Sequence, residues 1–314
     1  MKKLTYLLVM CIIMTAFCGC SGDSSKNNDS QETANINILI SSDISGDCMS
    51  TEDFNINQDF ENWYSQRYNN TKRQEPAQEI TVQFDGKEYT GKYKQTKTYH
   101  LGTSVAYEYT VDFGFLEINS SNGDIWLLHV GHPPVNRDKI DEKTYEACRK
   151  KAQEIAEQYI DTSYFTLEIE ETFESVQFIY IQYINGKPTE NKLAVTFTFK
   201  GEFESFCNFV SEGYKKVMKA QKTDANKLVD TFNSEQTQQL VLDKVKPLFA
   251  DYECEDCEYE INQSQLYVMP DGKLMQSYNV TASFMKESPI YKNESGNPLY
   301  YEEHALLQVA IIEE

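Results

Sequence analysis

The chain has 314 residues, 29 of them Lys or Arg and 49 Asp or Glu, for a net charge of −20. That balance argues against a nucleic-acid partner and against a body lying flat on an anionic bilayer, since both need a basic surface. The 21 Tyr and 17 Phe fall in alternating patterns, which predicts a substantial β component.

Lys2 and Lys3 precede a mostly apolar run from Leu4 to Phe17. A basic start, a short apolar run and a small residue form the pattern of a secretory signal peptide, here residues 1–19, and the run is too short for a membrane-spanning helix. Phe17-Cys18-Gly19-Cys20 resembles a bacterial lipobox, in which a small residue stands before the modified cysteine. Gly19 fits Cys20 to that role, whereas bulky Phe17 disfavours Cys18. The resemblance implies a diacylglycerol on Cys20 and a further acyl chain, such as palmitate, on its amine. Two or more chains, at about 0.8 kcal/mol per buried methylene, anchor a protein stably. The alternative is an ordinary cleaved signal with incidental cysteines. Loss of Lys2 and Lys3 with the leader takes the net charge from −20 to −22. Ser21 to Asn35 holds Ala34 as its sole aliphatic residue, so residues 20–45 read as the lipidated cysteine and a flexible polar tether. The predicted location is the cell membrane, lipid-anchored, on the extracytoplasmic face. Five cysteines remain after Cys20: Cys48, Cys148, Cys207, Cys254 and Cys257, an odd number that does not suit a dense disulfide framework.

Along the rest of the chain, residues 46–135 read as a first α+β module. Phe60, Trp63, Tyr64 and Tyr68 lie at helical spacing. Ile80, Val82 and Phe84 alternate up to Asp85-Gly86, a hairpin signal, and Tyr89 and Tyr93 return on the far side. Tyr107, Tyr109, Val111 and Phe113 alternate again, and Asn122-Gly123 separates two more strand patterns, Phe115 to Ile118 and Ile125 to Val130. Residues 136–210 read as a second module. Its helix begins at Asp141-Glu142 with a stripe of Cys148, Ala152, Ile155, Ala156 and Tyr159, and four strand patterns follow it. Residues 211–232 form a helical connector, and 233–314 a third module, in which Pro247 should kink or shorten the helix. The segments 141–159 and 234–252 share capping pattern, apolar positions and a terminal Tyr at a constant offset of 93, which reads as a degenerate repeat.

The helix followed by "FIYIQYINGKPTENKLAVTFTFKGEF" resembles the PepSY-type modules of secreted bacterial proteins and peptidase propeptides, through Tyr183, Asn185, Gly186, Pro188 and Gly201. "TVDFGFLEINSSNGDIWLLHV" resembles the strand–Asn-Gly–strand ending of such a module. The resemblance implies a helix packed on a small antiparallel sheet, and a regulatory or inhibitory binding role with no catalytic residue to transfer. The expected fold is therefore α+β: two or three small modules, each a helix on an antiparallel sheet, in degenerate repeat.

Candidate chemistry is sparse. Cys254 and Cys257 form a CxxC pair that suits a disulfide or, in the alternative, metal or redox chemistry. Glu253, Glu255, Asp256 and Glu258 around it disfavour thiolates. His129 and His132 could join a carboxylate on a metal, although two histidines where a strand becomes a loop are more often structural. Asp53, Asn55, Asn57 and Asp59 mimic a calcium loop but lack its Gly and its bidentate Glu. Ser283 and Lys286 match the Ser-x-x-Lys of penicillin-recognising enzymes only as a string. Acidic pairs such as Glu170/Glu171 and Glu302/Glu303 suit solvated faces better than glycosidase carboxylates. No catalytic or metal residue is assigned, and no cofactor. Both faces of the strand around Phe178, Tyr180, Ile179 and Ile181 are apolar, so a neighbouring element or a partner must cover the second. The sequence thus predicts a non-enzymatic binding or regulatory lipoprotein, held to the membrane by its N-terminal lipid and acting on an envelope protein or peptide. A solute- or glycan-binding lipoprotein is the alternative, and a carboxylate-dependent hydrolase comes after it.

Overall fold

In the computed structural model, which describes residues 36–46, 59–68, 75–99, 104–132, 139–172, 174–219, 222–252 and 257–313, the alternating patterns resolve into thirteen strands and the periodic ones into five helices. The first part of the chain supplies β1 (Ile36–Gly46), α1 (Asp59–Tyr68), β2 (Glu79–Phe84), β3 (Lys87–Tyr99), β4 (Ser104–Val111), β5 (Gly114–Asn119) and β6 (Ile125–Val130). The middle supplies α2 (Glu142–Tyr159), β7 (Thr166–Glu171), β8 (Ser175–Ile184), β9 (Lys187–Thr198) and β10 (Phe203–Asn208). The last part supplies α3 (Tyr214–Lys219), α4 (Lys222–Phe232), α5 (Glu235–Val245), β11 (Glu258–Val268), β12 (Leu274–Lys292) and β13 (Pro298–Glu313).

Local chemistry sets the ends of these elements. Asp85-Gly86 and Asn185-Gly186 both hold φ near +50° and +70°, the left-handed pair that a two-residue hairpin needs, and they join β2 to β3 and β8 to β9. Asp141 caps α2 by accepting from the Thr144 N–H at 2.9 Å, and Ser234 caps α5 by accepting from the Thr237 N–H at 3.2 Å. The α5 helix ends at Val245, and the chain passes into a 3-10 turn over Lys246–Tyr252. Pro247, which has no N–H to donate, stands at that change.

The strands form one continuous sheet in the order β1-β13-β12-β11-β9-β10-β6-β5-β4-β3-β2, with β8 and then β7 added on β9. It is mixed, because β11 meets β9 in parallel through Leu266 and Thr189 while the other pairings are antiparallel. The expectation of two or three small helix-on-sheet modules in degenerate repeat is therefore overturned. Two pairings explain the correction. Strand β10, the last of the four expected in the second module, pairs with β6 of the first through Ser205–His129, Phe206–Leu128 and Cys207–Leu127. Each edge would otherwise expose a row of unpaired backbone groups, so fusing them satisfies both. The helix expected on the first module also packs elsewhere. The α1 helix places Phe60 against Leu39, Met275, Ala310 and Ile312, on the β1–β13–β12 end of the sheet.

Three apolar clusters hold the molecule together. Helix α2 lays Cys148, Ala152, Ile155 and Ala156 on Phe178, Leu193, Val195, Phe206, Leu128 and Leu116. At the other end, α4, α5 and the 3-10 turn bring Val229, Phe232, Val241, Val245 and Phe249 onto Tyr278, Val280, Leu307, Val309 and Ile311. The α1 cluster covers the opposite face of that end. Among the described residues, no helix is long and apolar enough to cross a membrane.

Candidate functional site

The face of the β2–β10 half turned away from α2 carries the densest chemistry. Residues directly opposite one another in an antiparallel pair share a face, so the registers define a row across the sheet. From β7 to β3 it reads Glu168, Ile179, Ala194, Cys207, Leu127, Glu117, Glu108 and Gln95. Its middle is apolar, with Ile179 and Ala194 buried and Cys207 and Leu127 half-buried. One end holds two carboxylates, Glu108 and Glu117, of which 3% and 0% is exposed.

Two like charges side by side in a buried position demand a counter-charge. Lys97 supplies it, with its Nζ 2.5 Å from Glu108 and 2.6 Å from Glu117. Lys94 donates to Glu108 at 2.6 Å and Gln95 at 3.0 Å, while the Tyr99 hydroxyl donates to Glu117 at 2.7 Å. Burial raises the Glu108 carboxyl, but the bonds from Lys94, Lys97 and Gln95 outweigh it and bring its pKa down to about 2. The bonds to Glu108 and Glu117 hold the Lys97 ammonium above the usual lysine range despite its desolvation. Burial and then the bond to Glu117 push the Tyr99 phenol to about 12. These groups are locked in the charge states they carry at neutral pH.

Aromatic rings border the cluster. Tyr99, Trp126 and Phe209 stand with their centroids 5.9–6.2 Å apart. Lys97 lies 5.6 Å from the centre of the Phe115 ring, which is 5.4 Å from His129. In the next row Ser205 donates to the Thr196 hydroxyl at 2.9 Å. Burial pushes the Cys207 thiol up to about 12, and Lys192 only partly opposes it. At the β7 end, the Tyr183 hydroxyl donates to Glu168.

The residues singled out in the sequence are scattered. Cys20 and Cys254 lie outside the described residues, as does the Asp53–Gln58 stretch of the calcium-like loop. Cys257 is disulfide-bonded and lines a shallow cleft with Lys246, Phe249, Ala250 and Tyr259. His129 faces Phe115, whereas His132 bonds the Phe203 carbonyl and lies 3.9 Å from Glu202. Among the described residues, no three His, Cys, Asp or Glu side chains are grouped to hold a metal. Ser283 bonds His304 Nδ1 at 2.8 Å. Glu170 and Glu171 are exposed on β7, whereas Glu303 is buried. Sequence reasoning missed Glu108, Glu117, Lys97 and Trp126 as a group. The available signal was a single acid inside each of two apolar runs, "VAYEYTV" and "GFLEIN".

No protein-family profile and no curated protein sequence matches the chain. Among solved structures, the Bacillus megaterium YpeB C-terminal domain aligns at 9% identity with a TM-score of 0.23, covering 77% of this chain and 93% of that one.

Proposed function

We propose that the protein is a lipid-anchored, extracytoplasmic binding or regulatory protein that acts without catalysis on an envelope protein or peptide. The observation that carries this reading is the row on the far face of the sheet, in which buried side chains are interspersed with half-buried ones that remain open to contact, Glu168, Cys207 and Leu127. Its apolar middle, Ile179, Ala194, Cys207 and Leu127, suits non-covalent contact with a polypeptide. The row is chemically quiet: at its polar end Glu108 is held ionised and Lys97 protonated, and in its middle Cys207 stays a thiol. A general acid or base works best with a pKa near the ambient pH, and a nucleophilic cysteine needs a thiolate. The anchor rests on Cys20 after Gly19 and on the polar segment that follows it.

A photo-crosslinking residue at Leu127 of the intact lipoprotein, irradiated in cells, tests the binding reading. One dominant envelope protein attached there, and absent with the probe at Lys150 on the outer side of α2, is the expected result. No adduct at Leu127, with efficient crosslinking of a known envelope pair, overturns it. Labelling with alkynyl palmitate tests the anchor: the native chain takes up label and Cys20→Ala does not.

The Tyr99–Trp126–Phe209 rings beside buried carboxylates favour one second reading, a glycan- or solute-binding protein, because sugar rings stack on such surfaces. A ligand-dependent rise in melting temperature would support it.

A further inference from the structure

Among the described residues, eight large hydrophobic side chains are exposed, and five of them sit on the distal part of β12 and β13. They are Met285, Ile290, Tyr291, Leu299 and Tyr300, with Ile290 and Tyr291 at 73% and 66% exposure. Strand β11 accompanies β12 only as far as Ser283, and β1 accompanies β13 only as far as Ala305. Past those points the registers of the described residues pair β12 and β13 with each other alone, as a two-stranded arm that turns through Asn293–Asn297. Its pairing is irregular at one place. Glu287 faces Tyr300 and Lys292 faces Pro298, so the four residues from Ser288 to Tyr291 stand opposite the single Leu299. Such a bulge bows the strand outward and gathers Ile290, Tyr291, Leu299 and Tyr300 at one point of the arm.

A two-stranded ribbon is at best marginally stable in water, and a patch of large exposed apolar side chains marks an interaction site. From this placement we infer that the arm is a docking surface for a polypeptide strand that is apolar on one face and basic on its flanks. Charge decides between the occupants. The chain carries −20, and around the patch the exposed Glu287, Glu294 and Glu302 outnumber the exposed Lys292. A second copy brings the same negative charge and an anionic bilayer brings more, whereas a basic partner gains from it. Position agrees. Strand β13 runs from Pro298 on the arm to Glu313, which pairs with Ile36 where the chain enters the sheet. That run is about 50 Å long at 3.4 Å per residue, so the arm projects from the end of the sheet opposite Ile36. The inference deepens the binding reading above and rests on it for this orientation.

The test uses the full chain in nanodiscs of zwitterionic phosphatidylcholine, with empty nanodiscs as the blank. The probe is the alternating peptide Leu-Lys-Leu-Lys-Leu-Lys-Leu, set against its Glu counterpart and against Ser-Lys-Ser-Lys-Ser-Lys-Ser. The expected result is binding of the Leu-Lys peptide alone, weakened at least tenfold in the variant Ile290→Ser, Tyr291→Ser, Leu299→Ser, Tyr300→Ser. A second variant, Glu287→Lys with Glu302→Lys, keeps the apolar patch and should weaken binding to a similar degree. Equal binding by the native chain and either variant overturns the inference, as does equal binding of the Glu peptide. A native dimer that the four-serine variant dissolves assigns the arm to self-association and overturns it too. If the peptide result fails while crosslinks at Leu127 persist, only the arm falls. If those crosslinks fail as well, the binding reading falls with it.

Discussion

Glu108 and Glu117 stand directly opposite one another on β4 and β5, and the single ammonium of Lys97 lies within 2.6 Å of both carboxylates. Removing that ammonium leaves two buried acids facing each other. Lys97→Met should cost about 3 kcal/mol of stability, visible as a lower urea midpoint. Adding Glu117→Gln to that variant should restore part of the loss, because it removes the repulsion at its source. A double variant no more stable than the single one contradicts this account.

The same cluster sets an acid dependence. The folded Glu108 carboxyl titrates at about 2, below its ordinary 4.5. The stability it contributes is therefore complete above pH 4.5 and is lost as the pH falls towards 2. Urea midpoints between pH 5 and pH 3 should fall more steeply for the native chain than for Glu108→Gln. At the alkaline end the sign reverses, since the folded Lys97 titrates above its ordinary 10.5. Its contribution holds below that value and disappears as the pH rises through the folded one.

A second buried network joins β8 and β9 to the segment before α3. Gln182 donates to the Tyr214 carbonyl at 3.1 Å and accepts from Asn191 Nδ2 at 2.7 Å, and the Asn191 Oδ1 accepts from the Ser211 N–H at 2.7 Å. Gln182→Leu strands the Asn191 amide in a buried site and removes the side-chain bond to the Tyr214 carbonyl. The expected loss is about 2 kcal/mol, with hydrogen exchange accelerating at Ser211 and Tyr214. Unchanged protection there would show that the side chains do not hold the segment in place.

Cys148 and Cys207 are free thiols, and burial pushes them to about 11 and about 12. At pH 8 neither should react with an aromatic disulfide reagent in the folded protein, and both should react at once in urea. Fast modification of the native chain would mean that Cys207 is activated after all.

Much of this architecture was legible in the sequence because it is local. The stripe from Cys148 to Tyr159 became α2, the Asp-Gly and Asn-Gly pairs became tight turns, and Pro247 marks where α-helical geometry stops. Alternation also located the strands from 79 to 130. The way they combine was not legible, because periodicity fixes which face of a strand is apolar and not which strand lies beside it. Nothing local in "IWLLHV" or "FESFCN" announces that β6 and β10 pair. For the same reason α1 was assigned to the strands that follow it, although its aromatic face belongs on β1. The acid pair escaped notice because Glu108 and Glu117 are nine residues apart along the chain and become neighbours only through the β4–β5 register.

The pairing of Ile36 with Glu313 has a kinetic meaning. It closes a loop nearly as long as the chain, and the entropy of that closure must be met before any contact between β1 and β13 rewards it. Strand β1 is made first and finds its neighbour last. Until β13 has been synthesised, Leu39 and Ile40 have no core to enter, and the β1 end of the sheet cannot be completed. Folding of that end is thus a post-synthetic event, and a chain stalled before residue 298 would present an apolar strand to whatever chaperones meet it.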